Sequence, residues 1–173
     1  MGKPPHSPYP PDLAEEDSPD EPEFGDLVDV IVENADWANR RAPGLQARRA
    51  ELRQCRLTGA ELGEAALTDV TFDGCRLDLV GLRRAKLERV VFRDCRMGEC
   101  DFYEARLKDV LFERCELREA TITNMRIQRV ELRGCDLAGL TGVEALRTAR
   151  MPWTDVLENA ALFATALGIE ILD

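Results

Sequence analysis

The residues whose chemistry could matter most in this 173-residue chain are cysteines that recur every twenty positions. They are Cys55, Cys75, Cys95, Cys115 and Cys135, with a sixth, Cys100, outside the series. Thiols bind metals or form disulfides, but the sequence contains no C-x-x-C pair, and its single histidine, His6, lies far from them. We therefore interpret all six cysteines as small, reduced core residues of a cytoplasmic protein.

The sequence also gives no sign of a catalytic site. A nucleophile needs a base beside it, and residues 24–173 contain no histidine. We find no glycine-rich phosphate loop and no apolar run long enough for a signal peptide or a membrane span. We expect a protein that is not an enzyme, uses no cofactor or metal and has no membrane partner.

The elements that position the cysteines follow a five-residue register. From Ala50 to Gly139 the chain divides without insertion into blocks of five, in which the third residue is large and apolar and the first is apolar and mostly small. Residues two apart in an extended chain point to the same side, so both face inward. The remaining residues of each block must form a corner, and four blocks complete one coil.

This spacing predicts an all-β solenoid with a square cross-section. Successive coils stack as parallel strands about 4.8 Å apart, so cysteine lies on cysteine and Phe72, Phe92 and Phe112 form a second stack. We define the first, second, third and fourth faces by the blocks that begin at Ala50, Cys55, Ala60 and Ala65 and by their equivalents every twenty residues. Residues 24–146 form the predicted solenoid, with a strict register over 50–139 and an irregular first coil around Arg40 and Pro43.

The two ends of the chain differ from the repeats. Residues 1–23 hold seven of the nine prolines. Residues 1–29 contain nine acids, most of them within 1–23, and one base, Lys3, so that their net charge is −8 of the −10 of the whole chain. This composition predicts a disordered acidic arm. In residues 147–173, Pro152 and Gly168 predict the ends of one helix, followed by a short strand at Ile169 and Ile171. One apolar stripe on this helix predicts an end cap or a dimer contact: Trp153, Val156, Ala160, Phe163 and Leu167.

Blocks such as Ala60-Glu61-Leu62-Gly63-Glu64 and Cys135-Asp136-Leu137-Ala138-Gly139 resemble the A-(D/N)-L-x-x signature of the pentapeptide-repeat family. The resemblance implies a right-handed quadrilateral parallel β-helix. Family members involved in quinolone resistance end in a C-terminal dimerising segment. Their acidic surface imitates duplex DNA and engages type II topoisomerases. For this chain the resemblance implies DNA gyrase or another topoisomerase as a partner, and a homodimer.

The charges at outward positions differ from that pattern. Outward positions of the fourth face between 46 and 129 carry three acids against eight bases, a net of +5: Arg48, Arg49, Lys86, Arg89, Arg106, Lys108, Arg126 and Arg129. The third face is mildly acidic, and its candidate partner-binding acids are Glu61, Glu64, Asp101 and Glu104. A DNA mimic needs a long surface of one sign, and only this face leans that way.

Outward apolar residues offer a second kind of contact. Val91 and Leu111 occupy the same outward position on adjacent coils, and exposed paired aliphatic side chains indicate a protein contact, as does outward Tyr103 more weakly. An incidental surface location is the alternative for all three.

Two functions stay open at this point. The first is a non-enzymatic protein-interaction module, with the topoisomerase-binding DNA mimic as its specific form. The second is an anion or nucleic-acid binder that uses the basic fourth face, with the acidic arm as its shield. Direct nucleic-acid binding ranks lower because that face lacks the aromatic residues on which bases stack.

Overall fold

The computed structural model describes residues 8–10 and 24–172. Six parallel strands form one sheet in chain order: β1 (Leu27–Glu33), β2 (Gln46–Arg53), β3 (Ala66–Asp73), β4 (Lys86–Arg93), β5 (Arg106–Glu113) and β6 (Arg126–Arg133). The paired residues of these strands lie twenty positions apart, as in Phe72↔Phe92. Most of the predicted arm lies outside the described residues.

Each strand from β2 to β6 bends at a corner and covers both the fourth and the first face. The second and third faces are narrower and consist of single bridges, such as Arg56↔Arg76 and Glu61↔Gly81, which repeat along the solenoid. The predicted parallel β-solenoid is therefore confirmed, although its four sides differ in the extent of their strand pairing.

The corners lie at the last residue of each block. Every fifth residue from Asp29 to Gly139 has a positive φ, and the residues other than glycine have values between 50° and 63°. A block of five residues has one residue too many for strict inward and outward alternation. The left-handed conformation of the last residue turns the chain, so that the next block again starts with an inward residue. Asn34 and Asn39 continue the pattern into the first coil, and Arg41 pairs with Glu61. The expected irregularity of that coil was wrong, because asparagine tolerates the left-handed corner.

The interior is a continuous apolar cluster along the solenoid axis. The rings of Phe72, Phe92 and Phe112 stack with centroids 4.9 and 5.0 Å apart and are nearly parallel. Phe102 contacts Phe112 edge-on at 6.1 Å. The strict coil register sets this offset stack, because equivalent side chains must lie one strand spacing apart.

The C-terminal end departs from the predicted single helix. A 3₁₀ turn (Val143–Leu146) is followed by two short helices, α1 (Trp153–Glu158) and α2 (Ala160–Ala166). The helices meet at Asn159, whose side-chain amide donates to the carbonyl oxygen of Asp155 at 2.8 Å. Asparagine competes in this way with the helical backbone, which explains the break. No strand forms at Ile169 and Ile171 within the described residues.

Arg150 closes the solenoid by pairing with the outer edge of β6. Its backbone N–H donates to Val130 at 2.9 Å, and its carbonyl oxygen accepts from Leu132 at 3.0 Å. Buried Leu140 and Val143 extend the core to this end, and the partly buried residues Leu162 and Phe163 pack against it. Among the described residues, no helix is both long and apolar enough to cross a membrane.

Candidate interaction surfaces

The corner between the fourth and first faces carries a ladder of alternating acids and bases. Its residues in coil order are Asp29, Arg49, Asp69, Arg89, Asp109 and Arg129. Each arginine binds the aspartate one coil earlier through two nitrogen atoms. For Arg89 these distances to Asp69 are 2.7 and 3.0 Å. The hydrogen bonds from Arg129 lower the pKa of buried Asp109 below its usual value.

This ladder removes much of the predicted basic character of the fourth face. Arg49, Arg89 and Arg129 are each neutralised by an aspartate, and Lys108 donates to Glu88 at 2.9 Å. The same lysine is the main reason that the pKa of Glu88 is lowered. Half of the eight predicted cations are therefore engaged within the solenoid.

Three of the remaining cations form what we call the cation column: Lys86, Arg106 and Arg126. They are successive cross-strand partners in β4, β5 and β6. All three are exposed, and none forms an ion pair with a described residue. The column lies between a cleft of about 1040 Å³, which Arg84 and Arg147 also line, and a groove of about 430 Å³ on the fourth face. Like charges stacked across strands repel each other, so this column favours an external anion.

Arg48, the last of the eight predicted cations, lies apart from the column on β2. It likewise forms no ion pair with any residue of the described ranges, 8–10 and 24–172. Its cross-strand partner on β3 is Thr68, so no second cation lies next to it on that side.

The predicted acidic third face is also partly neutralised. Arg84 donates to Glu64 and Arg83 donates to Asp101, both at 2.8 Å. The guanidinium carbon of Arg83 lies 4.6 Å from the centre of the Tyr103 ring, which is half-buried. Of the four predicted acids, Glu61 and Glu104 form no ion pair within the described part of the chain. A continuous acidic surface is absent from this face as described.

The prediction that Val91 and Leu111 are exposed was wrong. Only 4% of Val91 and 5% of Leu111 are accessible, although both lie outside the interior cluster of buried residues. They are cross-strand partners on β4 and β5. Strand alternation correctly gave their outward direction, but it gives no information on what covers an outward side chain.

The predicted stripe on the C-terminal helix is divided between the cap and the surface. Phe163 packs against the core and Val156 is half-buried, whereas Ala160 is exposed, Trp153 is 72% exposed and Leu167 is 78% exposed. Two further large apolar residues, Leu157 and Leu172, are exposed but were not predicted from the sequence. A helical stripe could not reveal them, because Leu157 is adjacent to Val156 and Leu172 follows the helices.

We define the apolar end by the exposed large apolar residues of this segment: Trp153, Leu157, Leu167, Ile169, Ile171 and Leu172. Asp155 fixes the base of α1 by accepting the backbone N–H of Gly134 at 2.5 Å. The apolar end is thus attached at the corner between the first and second faces of the last coil. Such a concentration of exposed apolar side chains is typical of a protein contact.

The cysteines offer no reactive site in this arrangement. All six are buried and unpaired by disulfides, and their thiols donate to backbone carbonyl oxygens, as Cys95 does to Phe72 at 3.5 Å. Burial raises the pKa of Cys100 to about 12. No group of side chains able to hold a metal ion occurs among the described residues.

A comparison with solved structures found several similar chains. Full-length QnrB1, a plasmid-mediated fluoroquinolone resistance protein, is 14% identical with a TM-score of 0.38, and the match covers 80% of this chain and 100% of that one. Rfr23, a pentapeptide repeat protein from the cyanobacterium Cyanothece 51142, is 14% identical with a TM-score of 0.32, covering 71% and 84%. A pentapeptide repeat protein from the Arabidopsis thaliana thylakoid lumen is 17% identical with a TM-score of 0.33, covering 75% of each chain.

One match comes from the sequence itself. A search of the curated proteins found no match. Residues 46–122 match the family model described as a pentapeptide repeat region, and this range contains β2 to β5 together with the corner ladder of their coils. Residues 46–122 of this chain are therefore similar to a pentapeptide repeat region.

Proposed function

We propose that this chain is a non-catalytic protein-interaction module that acts in the cytoplasm as a homodimer. The apolar end is the observation that carries the proposal, because it groups six exposed large apolar residues beyond a regular solenoid. The six buried, free thiols suit a reducing compartment such as the cytoplasm. In this module the solenoid supplies a rigid scaffold and its outward side chains supply the contacts.

A second copy of the chain is the proposed occupant of the apolar end. Trp153 and Leu157 lie one turn apart on α1, so they present one apolar strip that can pack against the same strip of a two-fold-related copy. Sedimentation equilibrium of the purified chain is expected to give twice the monomer mass. Replacing both residues with serine should give a monomer, whereas Glu158→Gln, an exposed change on the same helix, should leave the dimer intact. A monomeric wild-type chain would refute this assembly.

The resemblance to quinolone-resistance proteins supplies the specific form of the proposal, a DNA-mimicking binder of DNA gyrase. Glu61 and Glu104 are the acids of the third face without an ion pair to a described residue, and they are the side chains available to such a partner. A gyrase supercoiling assay with the purified chain tests this form. Inhibition, or protection of gyrase from a quinolone, supports it, and the absence of both at micromolar protein rejects it.

A second candidate function is anion binding through the cation column. The charges of Lys86, Arg106 and Arg126, which form no ion pair with a described residue, favour it, because these side chains repel one another without a bound anion. A fluorescent single-stranded oligonucleotide should bind with an affinity that falls as salt rises. Changing the three residues to glutamine should abolish binding. Lys108→Gln is the matched control, since Lys108 is engaged by Glu88 and its loss should have little effect.

The acidic arm enters this second function as a shield. The net charge of residues 1–23 is −6, opposite in sign to that of the fourth face, so deletion of residues 1–23 should raise the affinity for the oligonucleotide. An unchanged affinity in the deleted protein would reject the shield without affecting the column itself.

A further inference from the structure

The second face of the solenoid ends in an open backbone edge. In every earlier coil, the third and the fifth residue of the second-face block donate their backbone N–H groups to carbonyl oxygens of the next coil. The last examples are Leu117, which donates to Asp136 at 2.8 Å, and Glu119, which donates to Ala138 at 2.8 Å. The repeat therefore directs two backbone donors per block toward the coil that follows.

The equivalent groups of the last coil lack such partners. Within the part of the chain that the structure describes, the N–H groups of Leu137 and Gly139 have no acceptor, and the carbonyl oxygen of Cys135 has no donor. The chain forms α1 where the next second-face block would lie, and this helix uses its own backbone groups, as in the 3.1 Å bond from Asn159 to Asp155. Three neighbouring backbone groups are thus left in the arrangement that an extended chain satisfies.

The adjoining corner shows that this edge accepts a substitute for the missing coil. The backbone N–H of Arg114 donates to the carbonyl oxygen of Arg133 at 2.8 Å, whereas its equivalent in the last coil, Gly134, donates to the carboxylate of Asp155. A side chain of α1 therefore replaces one carbonyl oxygen of the missing coil. No other described residue does the same for the two following donors of the edge.

A groove of about 510 Å³ runs along this edge. Residues 134–139 form one wall, and Glu158, Asn159 and Leu162 form the other. Binding clefts for ligands commonly enclose about 300–1,000 Å³, so the groove has room for a short extended segment. The open backbone groups and the space beside them therefore occur together.

The repeat specifies how such a segment would lie. In each coil one residue of the second face bonds twice to the preceding block, as Asp136 does by donating to Cys115 at 3.0 Å and accepting from Leu117 at 2.8 Å. A bound residue at the next position would bond to the open groups of the last coil in the same way. The residue two positions later would accept from Gly139, so the segment runs parallel to the block.

The walls of the groove indicate the side chains of that segment. Asp136 accepts from Arg118, and Glu158 is exposed and pairs with none of the described cations, so a basic side chain complements the groove. In an extended segment the two bonded positions point outward and the residue between them turns toward the solenoid axis. Partly buried Leu162 lies on that side, so the middle residue should be small and apolar.

We propose that this groove binds an extended segment of a protein partner, with arginine or lysine at its outward positions and a small apolar residue between them. The segment adds one block to the second face. This inference rests on the proposed role of the chain as a protein-interaction module. It does not depend on the proposed dimer, because Trp153 and Leu157 do not line the groove.

Amide hydrogen exchange followed by NMR tests the proposal with a capped peptide of sequence Ser-Thr-Arg-Ala-Arg-Thr-Ser. In the free protein, the amides of Leu137 and Gly139 should exchange faster than those of Leu117 and Glu119, which are hydrogen-bonded. Saturating peptide should slow exchange at Leu137 and Gly139 about tenfold or more, because both gain an acceptor. The same peptide with an N-methyl group on its first arginine loses the donor to Cys135 and should give no protection.

A charge exchange connects the binding to the groove. By fluorescence anisotropy of the labelled peptide, Glu158→Lys should weaken binding about tenfold or more, and it should bind a peptide with glutamates in place of the arginines better than wild type does. Glu144→Lys, a change of an exposed acid outside the groove, is the matched control and should bind both peptides as wild type does.

The variant with serine at Trp153 and Leu157 separates this inference from the dimer, because it should bind the peptide like wild type whatever its oligomeric state. Exchange at Leu137 and Gly139 that is unaffected by millimolar peptide would overturn the proposal. Affinities for both peptides that are unchanged by Glu158→Lys would overturn it as well.

Discussion

The corner ladder predicts that two ion pairs of the same sequence spacing differ sharply in their contribution to stability. Arg129 binds Asp109 and Arg114 binds Asp94, each across one coil and each through two nitrogen atoms. The side chain of Asp109 is only 7% exposed, whereas that of Asp94 is 48% exposed. Removing the arginine therefore leaves a buried carboxylate in one case and a solvated carboxylate in the other.

The expected magnitudes follow from that difference in solvation. Loss of a partner from a fully buried pair costs about 3–5 kcal/mol, and the partial exposure of Arg129 lowers our expectation for Arg129→Met to about 2 kcal/mol. Arg114→Met should cost less than about 1 kcal/mol, as exposed pairs do. Urea unfolding followed by circular dichroism measures both. The double change Arg129→Met with Asp109→Asn should recover much of the loss, because it removes the unpaired charge.

Acid should reduce the difference between these variants. The pKa of Asp109 is lowered in the folded protein, so the pair stabilises the fold above the unfolded value of about 4 and loses this contribution as the pH falls through the folded value. In Arg129→Met the unpaired carboxyl protonates readily, and its deficit relative to wild type should therefore shrink in acid. The reasoning fails if the Arg129 and Arg114 variants lose equal stability, or if acid leaves the Arg129 deficit unchanged.

Three further changes test the corners, the core and the end of the solenoid by thermal or urea unfolding. Leu79→Gly should stabilise by about 0.5–1 kcal/mol, because Leu79 is an exposed corner residue with a φ of 62°; a loss would contradict corner strain. Phe92→Ala should cost about 3–5 kcal/mol by opening a cavity between two stacked rings, and a cost below about 1 kcal/mol would show that the stack collapses freely. Gly142→Ala should destabilise by more than about 1 kcal/mol, because its φ is 85° and an added Cβ would lie 2.5 Å from the backbone nitrogen of Thr123; wild-type stability would show that this closure moves.

Much of the solenoid could be predicted because each block repeats the same local problem. Leu87 and Ala85 both face inward, and a large and a small apolar residue occupy the equivalent positions in the other coils. A wrong assignment of inward and outward residues in one block would therefore disagree with the blocks around it. The C-terminal end has no repeat to support a prediction. There one asparagine, Asn159, divides the expected helix, and the stripe read from helical spacing was only partly correct.

The candidate surfaces were less predictable than the fold. The sequence places Arg89 and Lys86 on one face with the same charge, but Arg89 is neutralised by Asp69 and Lys86 has no described acidic partner. The alternation of acid and base at the corner positions was a signal that could have revealed the pairing, because residues twenty apart are neighbours in this fold.

The coil length, the inward residues and the stack of cysteines could all be predicted from the sequence, because a strict repeat turns local alternation into a complete register. The folded structure was needed to show which cations lack an ion pair with a described residue and how the apolar end is attached. It also showed that Val91 and Leu111 are buried. These properties depend on contacts between coils, and between the solenoid and its non-repeating ends, which the five-residue spacing does not encode.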